Sequence, residues 1–363
     1  MKQRVVVGMS GGVDSSTTAG LLREKGYEVI GATMCIGTGD KTSGGPARCC
    51  SLADIEDARR VALQLGIPFY VIHLREEFEE DVIQYFCREY VQGRTPNPCI
   101  RCNEKIKFGS FLKKARELGA DFLATGHYAR LGFDDRAGRY LLKKGVDRRK
   151  DQSYVLFSLT QDQLRHTLLP LGDLRKEEVR RKALQLGLRV HDKAESQEVC
   201  FIQDTSYHSF LLERLRESVE PGSILDRDGN VLGRHKGIPF YTIGQRRGLG
   251  LAKGKPLYVT KIDREKNAIV VGREEEVRSD RFIVDGLRWM VPPEKVPFHT
   301  THVKIRYNHP GSEANLLSKG EGTWEVKFKV PQKAITPGQA AVFYEGETLL
   351  GGGWIREIVR SSE

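Results

Sequence analysis

No stretch of this 363-residue chain approaches the roughly 18 apolar residues that a membrane-spanning helix needs, so no membrane partner is expected. The first residues run directly into a charged and then apolar strand. Neither a secretory signal nor a transit segment is evident there, and the expected location is the cytoplasm. Cysteine is scarce: seven in the chain, with no secretory signal, do not make a disulfide framework. In a reducing compartment such residues serve as core, metal ligands or reactive thiols. Cys35, in the apolar run that ends a predicted strand, and Cys87, in a helical segment, read as core. Cys49, Cys50, Cys99, Cys102 and Cys200 fall in irregular segments and are the candidates for chemistry. Internal duplication is also lacking. The pentapeptide Ala-Leu-Gln-Leu-Gly occurs at 62–66 and 183–187, but each copy is a glycine-capped helix end before a strand, and the same local physics accounts for both.

What is plentiful is positive charge. A net charge of +10 suits a polyanionic partner, because Lys and Arg gain affinity by releasing counterions from phosphates. Arg139, Lys143, Lys144, Arg148, Arg149 and Lys150 crowd one stretch; Arg175, Lys176, Arg180, Arg181 and Lys182 form another; Arg234, Lys236, Arg246 and Arg247 form a third. Clusters spread this widely favour a nucleic acid over a small acidic substrate.

The length suggests roughly two or three domains. The first part alternates strand and helix: strands at 4–9, 28–35, a buried one at 67–74 and one at 121–125, with helices at 51–65 and 103–118. Ser51 and Asp54 are placed as a capping box for the first of those helices. This pattern predicts an α/β fold, a doubly wound parallel sheet covered on both faces. Residues 37–48 are rich in Gly, Thr and Ser and read as a surface loop, a candidate lid. The character changes near Asp204. Turns such as Asp228-Gly229-Asn230 then separate short strands, and later Val303, Ile305 and Tyr307, then Trp324, Val326, Phe328 and Val330, alternate with polar residues. A small β-rich central domain and a C-terminal antiparallel β-barrel follow. The expected domains are residues 1–206, 207–277 and 278–363.

Residues 5–16 read VVVGMSGGVDSS: an apolar strand, a glycine-rich turn and the start of a helix. Such a turn lets backbone approach an anion, and the helix N-terminus offers free N–H groups and a positive dipole end. No Gly-Lys-Ser/Thr follows the glycines, so this is not the Walker phosphate loop. The SGGVDS run resembles the signature of the ATP pyrophosphatase (PP-loop) enzymes, which leave AMP on a substrate oxygen and release pyrophosphate.

A second motif, GRTPNPCIRCNEKIKF at 93–108, places Pro96 and Pro98 as stiffeners of an extended turn, with Cys102 just before a helix starting near Asn103. A thiol there faces the positive end of the helix dipole, with Arg101 and Lys105 close in sequence, and its pKa is expected to fall. A structural cysteine or a metal ligand from the Cys99-x-x-Cys102 pair are the competing readings. Cys200 lies in KAESQEVCFIQD at 193–204, and two such thiols beside a nucleotide loop suggest sulfur handling.

These motifs occur in order with ATGHYAR at 124–130, KDQSYVLF at 150–157, YTIGQRRGLG at 241–250 and TPGQAAVFY at 336–344. Together they resemble the tRNA-specific 2-thiouridylase (MnmA) family over essentially the whole chain. The resemblance implies that ATP binds across Gly8, Met9, Ser10, Gly11, Gly12, Val13, Asp14 and Ser15, with Met34 and Gly126 at the adenine and ribose side, and that Asp14 helps hold magnesium. It implies adenylation of the 2-oxygen of the wobble uridine. Cys200, loaded as a persulfide by a sulfur-relay protein fed by a cysteine desulfurase, then delivers sulfur, and Cys102 completes transfer or resolves the persulfide as a disulfide. For tRNA it implies Asn97, Pro98 and Cys99 beside the flipped uridine, His127 near it, Lys150, Asp151 and Gln152, and Arg306, Tyr307 and Gln339 in the barrel. A monomer is expected.

One residue departs from the family: members often carry Asp where this chain has Cys99. Cys99, Cys102 and Cys200 could then hold a 4Fe-4S cluster that carries the sulfur, since three thiolates leave one iron open. Two further readings compete: a PP-loop enzyme that forms a C–N bond, and an RNA-binding or iron–sulfur protein without turnover.

Overall fold

The computed structural model describes residues 2–37, 52–193, 199–202, 207–215, 219–251, 254–296 and 298–359. Ser51, Cys49, Cys50 and nearly all of the 37–48 segment lie outside them, as does the Ser51 capping box. The chain divides into two compact units: Met1–Ile83 with Cys99–Gln203 and Glu347–Leu349, and Gln84–Pro98 with Asp204–Gly346 and Leu350–Glu363.

The first unit is built on a parallel sheet. Strands β1 (Arg4–Gly8), β2 (Glu28–Cys35), β3 (Phe69–His73), β4 (Phe122–Ala124) and β7 (Thr167–Leu168) lie in the order β3-β2-β1-β4-β7. β1 is central, with Val5 beside both Val29 and Phe122. Its Val5, Val6 and Val7 are fully buried, as a strand covered on both faces requires. Helix α1 (Val13–Glu24) is buried from Val13 through Leu22, apart from Asp14. Its Ala19 and Leu22 join Val61, Ala62 and Leu65 of helix α2 (Leu52–Leu65) and Ala183 in one core cluster. Each of the valine and leucine side chains among them contributes about 1.5–3 kcal/mol on burial. An antiparallel hairpin, β5 (Ala129–Asp134) with β6 (Arg139–Lys144), completes the unit's strands.

Two expectations for this unit fail in instructive ways. The strand read as buried at 67–74 is β3, an edge strand with one neighbour, and Tyr70 on it is 48% exposed. Its apolar run signals a strand but cannot tell an edge from a centre. The helix predicted from Asn103 begins earlier, at Pro98, runs as an α-turn through Arg101 and continues as a π-helix over Cys102–Phe111. Proline suits a first helical position, where its missing N–H is not needed and its φ is already helical. Pro98 therefore starts the helix instead of extending a turn.

The second unit is β-rich. Strands β8 (Gly222–Leu225), β9 (Val231–His235), β10 (Tyr258–Asp263) and β11 (Ala268–Gly272) form a sheet in the order β10-β11-β8-β9, with β11 and β8 parallel. At the Asp228-Gly229-Asn230 turn, Asp226 Oδ1 accepts from the backbone of Asp228 and Asn230, and Gly229 takes φ +89°. Strands β12 (Arg278–Trp289), β13 (Thr301–Lys304), β14 (Ser312–Gly320), β15 (Thr323–Lys333), β16 (Ala340–Glu345) and β17 (Thr348–Val359) follow in the order β12-β15-β14-β13-β16-β17, and β12 pairs with β17 to close the six-stranded barrel. Closure removes free edges. Val303, Ile305, Val326 and Phe328 are buried as the alternation predicts, Tyr307 and Trp324 are half-buried, and Phe282 and Phe343 are buried with them. Val330 departs from it at 64% exposed, because the β12–β15 register shifts between Ser279 and Arg281 and residues 328–331 have no partner on β12.

Candidate active site

β1 ends at Gly8 and α1 begins at Val13, so Met9–Gly12 forms the turn at the carboxyl end of the central strand. Met9 is buried and anchors the turn's entry: its N–H donates to Ala32 O at 2.8 Å and its carbonyl accepts from Thr33 Oγ1 at 2.6 Å. Ser15 Oγ accepts from Ser10 N at 3.1 Å and donates to Gly12 O at 3.2 Å, which folds the turn onto the helix. Gly11 has φ +72°, and a Cβ there would lie 2.4 Å from Asp54 O, so only glycine fits. Gly12 caps the twelve-residue α1 without any side-chain hydrogen bond, leaving the N-terminal donors to backbone alone. This is the geometry of an anion cradle.

Two lysines frame it. Lys193 Nζ reaches Gly11 O at 3.1 Å, Asp54 at 2.8 Å and Asp57 at 2.7 Å. Burial works against its charge, but the two carboxylates outweigh burial and raise its pKa. Lys176, with a side chain 9% exposed, grips both oxygens of Asp14 at 2.7 and 2.8 Å. Asp14 Oδ1 also accepts from Tyr128 Oη at 2.7 Å. Lys176 was expected among the RNA-facing cations. The fold instead buries it, because its helix packs on α1, and its charge is matched by Asp14. No spacing in the sequence signals that pair, since the partners stand 162 residues apart.

Gly126 abuts the same loop: a Cβ there would be 3.0 Å from Asp14 and from Ser15 N. We expect Gly126→Ala to raise the KM for ATP about tenfold and to lower stability by about 1–3 kcal/mol, as measured by ATP titration of pyrophosphate release and by urea melts. Met34 is half-buried on β2 beside Ile72 of β3, and Gly8 lies against Phe111.

In the KDQ segment Lys150 and Gln152 are half-buried. Asp151 is buried, and its carboxylate accepts from Gly145 N, Ser153 N and Ser153 Oγ at 3.0–3.1 Å. Gln152 brackets Tyr128, accepting its N–H at 2.9 Å and donating backbone N–H to its carbonyl at 2.9 Å. Gln152 thus holds the tyrosine that holds Asp14, and Asp151 ties Gly145 to Ser153, roles that the implied RNA contact does not include. His127 is also buried, with Nδ1 2.7 Å from Thr125 Oγ1; burial first, then Lys107, hold its pKa well below the usual imidazole value. It is therefore neutral at pH 7.

The thiols are not activated as expected. Cys102 lies inside the helix, one turn past Pro98, and burial pushes its thiol up to about 11. Burial likewise raises the thiol of Cys99, although the residue as a whole is exposed. The opposing charge at both is Lys107, because Arg101 and Lys105 pair with Glu104 at 3.3 and 3.9 Å. Asn97 is half-buried and Pro98 buried. Cys200 is exposed on a turn whose next residues, Phe201 and Ile202, are buried; Phe201 packs edge-on against Phe78. Among the described residues no group of three or more His, Cys, Asp or Glu side chains is gathered to hold a metal. Cys99, Cys102 and Cys200 are thus not gathered among these residues into the three-thiolate arrangement that would seat a 4Fe-4S cluster. A nucleotide-borne magnesium requires only one or two carboxylates alongside phosphate oxygens, and Asp14 is a carboxylate in the first turn of α1.

In the second unit, Arg306 is exposed and donates to Lys333 O at 3.1 Å, Tyr307 has Lys304 Nζ 6.0 Å from its ring, and Gln339 donates to Thr95 O at 2.8 Å. Arg234, Lys236, Arg246 and Arg247 are all exposed.

A glycine turn on a central parallel strand, opening on a buried helix with an acidic first turn, defines an α/β enzyme of the PP-loop class, here joined to two β domains. Family models match it as a tRNA methyl transferase HUP domain over residues 3–204, a tRNA methyl transferase PRC-barrel domain over 208–273 and an aminomethyltransferase beta-barrel domain over 279–355. The tRNA-specific 2-thiouridylase MnmA of Desulforamulus reducens is 51% identical over 362 residues, covering 99% of each chain. That of Heliobacterium modesticaldum is 52% identical over 358 residues, covering 98% of this chain and 93% of the relative. The chain belongs to the MnmA family. Among solved structures, the U34-tRNA thiolase NcsA from Methanococcus maripaludis with its 4Fe-4S cluster matches at 21% identity and a TM-score of 0.34, covering 59% of this chain and 66% of that one. At that level of likeness it bears on neither the fold nor the metal content of this chain.

Proposed function

We propose that the protein is an ATP-dependent tRNA-uridine 2-sulfurtransferase that converts the wobble uridine to 2-thiouridine. The observation that carries this reading is the pairing, in one unit, of an anion cradle at the N-terminus of α1 with thiols at Cys102 and Cys200. A methyl transfer fits the site less well, since it needs neither a phosphate cradle nor thiols.

The α1 N-terminus and the glycine turn bind the phosphates of ATP. Magnesium, when bound, neutralises phosphate charge as pyrophosphate leaves, and Asp14 would hold it. The 2-oxygen of uridine attacks the α-phosphorus, pyrophosphate departs, and the oxygen becomes part of an AMP leaving group. The terminal sulfur of a Cys200 persulfide attacks C2 and AMP leaves with the oxygen. The Cys102 thiolate then attacks Cys200 Sγ. A Cys102–Cys200 disulfide forms, and the transferred sulfur stays on C2. A thiol reductant must return both cysteines to thiols before the next cycle. Display of Cys200 on an exposed turn suits loading by a sulfur-relay protein fed by a cysteine desulfurase. The exposed arginines of the second unit suit tRNA phosphates. On this reading the protein works as a monomer in the cytoplasm.

Nucleoside analysis of an anticodon stem-loop after incubation with ATP, magnesium and a sulfide source tests the reading. 2-Thiouridine is the expected product; its absence with a competent donor and tRNA overturns the proposal.

A further inference from the structure

The helix that bears Cys99 and Cys102 also carries Lys107. Lys107 is half-buried and, among the described residues, makes no hydrogen bond or ion pair. Its neighbours Arg101 and Lys105 are both engaged by Glu104. The π-helical geometry decides what Lys107 faces. With hydrogen bonds running i→i+5 over Cys102–Phe111, residues five apart return to about the same face, which sets Lys107 one turn beyond Cys102. Cys99 precedes Cys102 by three residues, on the same face of the opening α-turn. Next to Lys107, the Phe108 ring lies 6.0 Å from that of His127. Two thiols, a neutral imidazole and one unbalanced ammonium therefore gather along this helix.

The charges that act on the Cys102 thiol are Lys107, which favours the thiolate, and Cys99, which opposes it. His127, buried against Thr125, adds no positive charge. Without Lys107 nothing on the helix would offset burial.

We propose that Lys107 is a positioning residue for the sulfur chemistry: its ammonium stabilises Cys102 as the thiolate, the proton passing to solvent, when that sulfur attacks Cys200 Sγ and frees the sulfur that bridges Cys200 to the uridine. The use of the thiolate rests on the function proposed above, whereas the electrostatic role does not.

The test is the pH profile of iodoacetamide alkylation at each cysteine, read by peptide mass spectrometry on the full chain as wild type, Lys107→Met and Lys107→Arg. It needs no ATP, RNA or sulfur donor, so it succeeds or fails independently of thiolation. Lys107→Met should slow alkylation of Cys102 about tenfold at about pH 8.5 and move its profile up by about one pH unit. Cys99 should move the same way, Cys35 and Cys87 should not change, and Lys107→Arg should keep the wild-type profile. Faster reaction at Cys87 would report unfolding of Lys107→Met, in which case Lys107→Gln carries the comparison. An unchanged Cys102 profile without the lysine, or an equal loss in Lys107→Arg, overturns the proposal.

Discussion

Asp14→Asn should lower pyrophosphate release on the order of 10³-fold while leaving tRNA binding intact. The carboxylate sits in the first turn of α1 at the mouth of the anion cradle, and three groups are built around it: Lys176 on both oxygens, Tyr128 on one, and Gln152 bracketing the tyrosine. Removing its charge takes away the carboxylate proposed to hold a nucleotide-borne metal and leaves the buried Lys176 ammonium facing a neutral amide. Loss of one electrostatic stabiliser at a reacting phosphate commonly costs 10²–10³ in rate, and loss of the metal's anchor adds to it. The unmatched lysine should also cost about 1–3 kcal/mol, because Asp14 is partly solvated and the amide still accepts a hydrogen bond. A pyrophosphate-release assay and urea melts on the same protein separate the two effects. Wild-type release by this variant would remove Asp14 from the reaction.

Cys200→Ser should separate the two halves of the chemistry. Thiolation falls by at least about 10³-fold, as expected when a covalent carrier is lost, while pyrophosphate release stays within a few-fold of wild type. Cys102→Ser should likewise adenylate but stall with sulfur bridging Cys200 and the uridine. A pH signature accompanies this. With the Cys102 thiol held up near 11, its thiolate fraction at neutral pH is small and rises about tenfold per pH unit. Single-turnover sulfur transfer should therefore climb between about pH 7 and pH 9, with no matching climb in pyrophosphate release. Full activity in Cys102→Ser would point instead to a PP-loop enzyme that joins an amine to its adenylated substrate.

The parts of the fold legible in the sequence are those set by local pattern. β2 spans Glu28–Cys35 as read, and the glycine turn sits between strand and helix because positive φ at Gly11 and an apolar strand are local demands. Barrel alternation is likewise a period-two signal and holds as far as Phe328. Where the reading failed, partners distant in the chain decided the outcome. Lys176 looks like one basic residue among several until the fold brings it to Asp14. Asp151 looks like a surface carboxylate until Gly145 and Ser153 close on it. Pro98 misled for another reason: a proline that stiffens a turn and one that opens a helix look alike in sequence. The Cys102 thiol departs from its sequence reading because burial, which no local pattern reports, outweighs the helix dipole and its charged sequence neighbours.

The most direct test of the central claim uses an anticodon stem-loop carrying oxygen-18 at the 2-position of the wobble uridine. If that oxygen attacks the α-phosphorus of ATP in the Gly8–Ser15 cradle, the AMP released on thiolation carries the label. AMP bearing only unlabelled oxygen, with 2-thiouridine formed, would show that ATP is hydrolysed without activating the base and would contradict the mechanism.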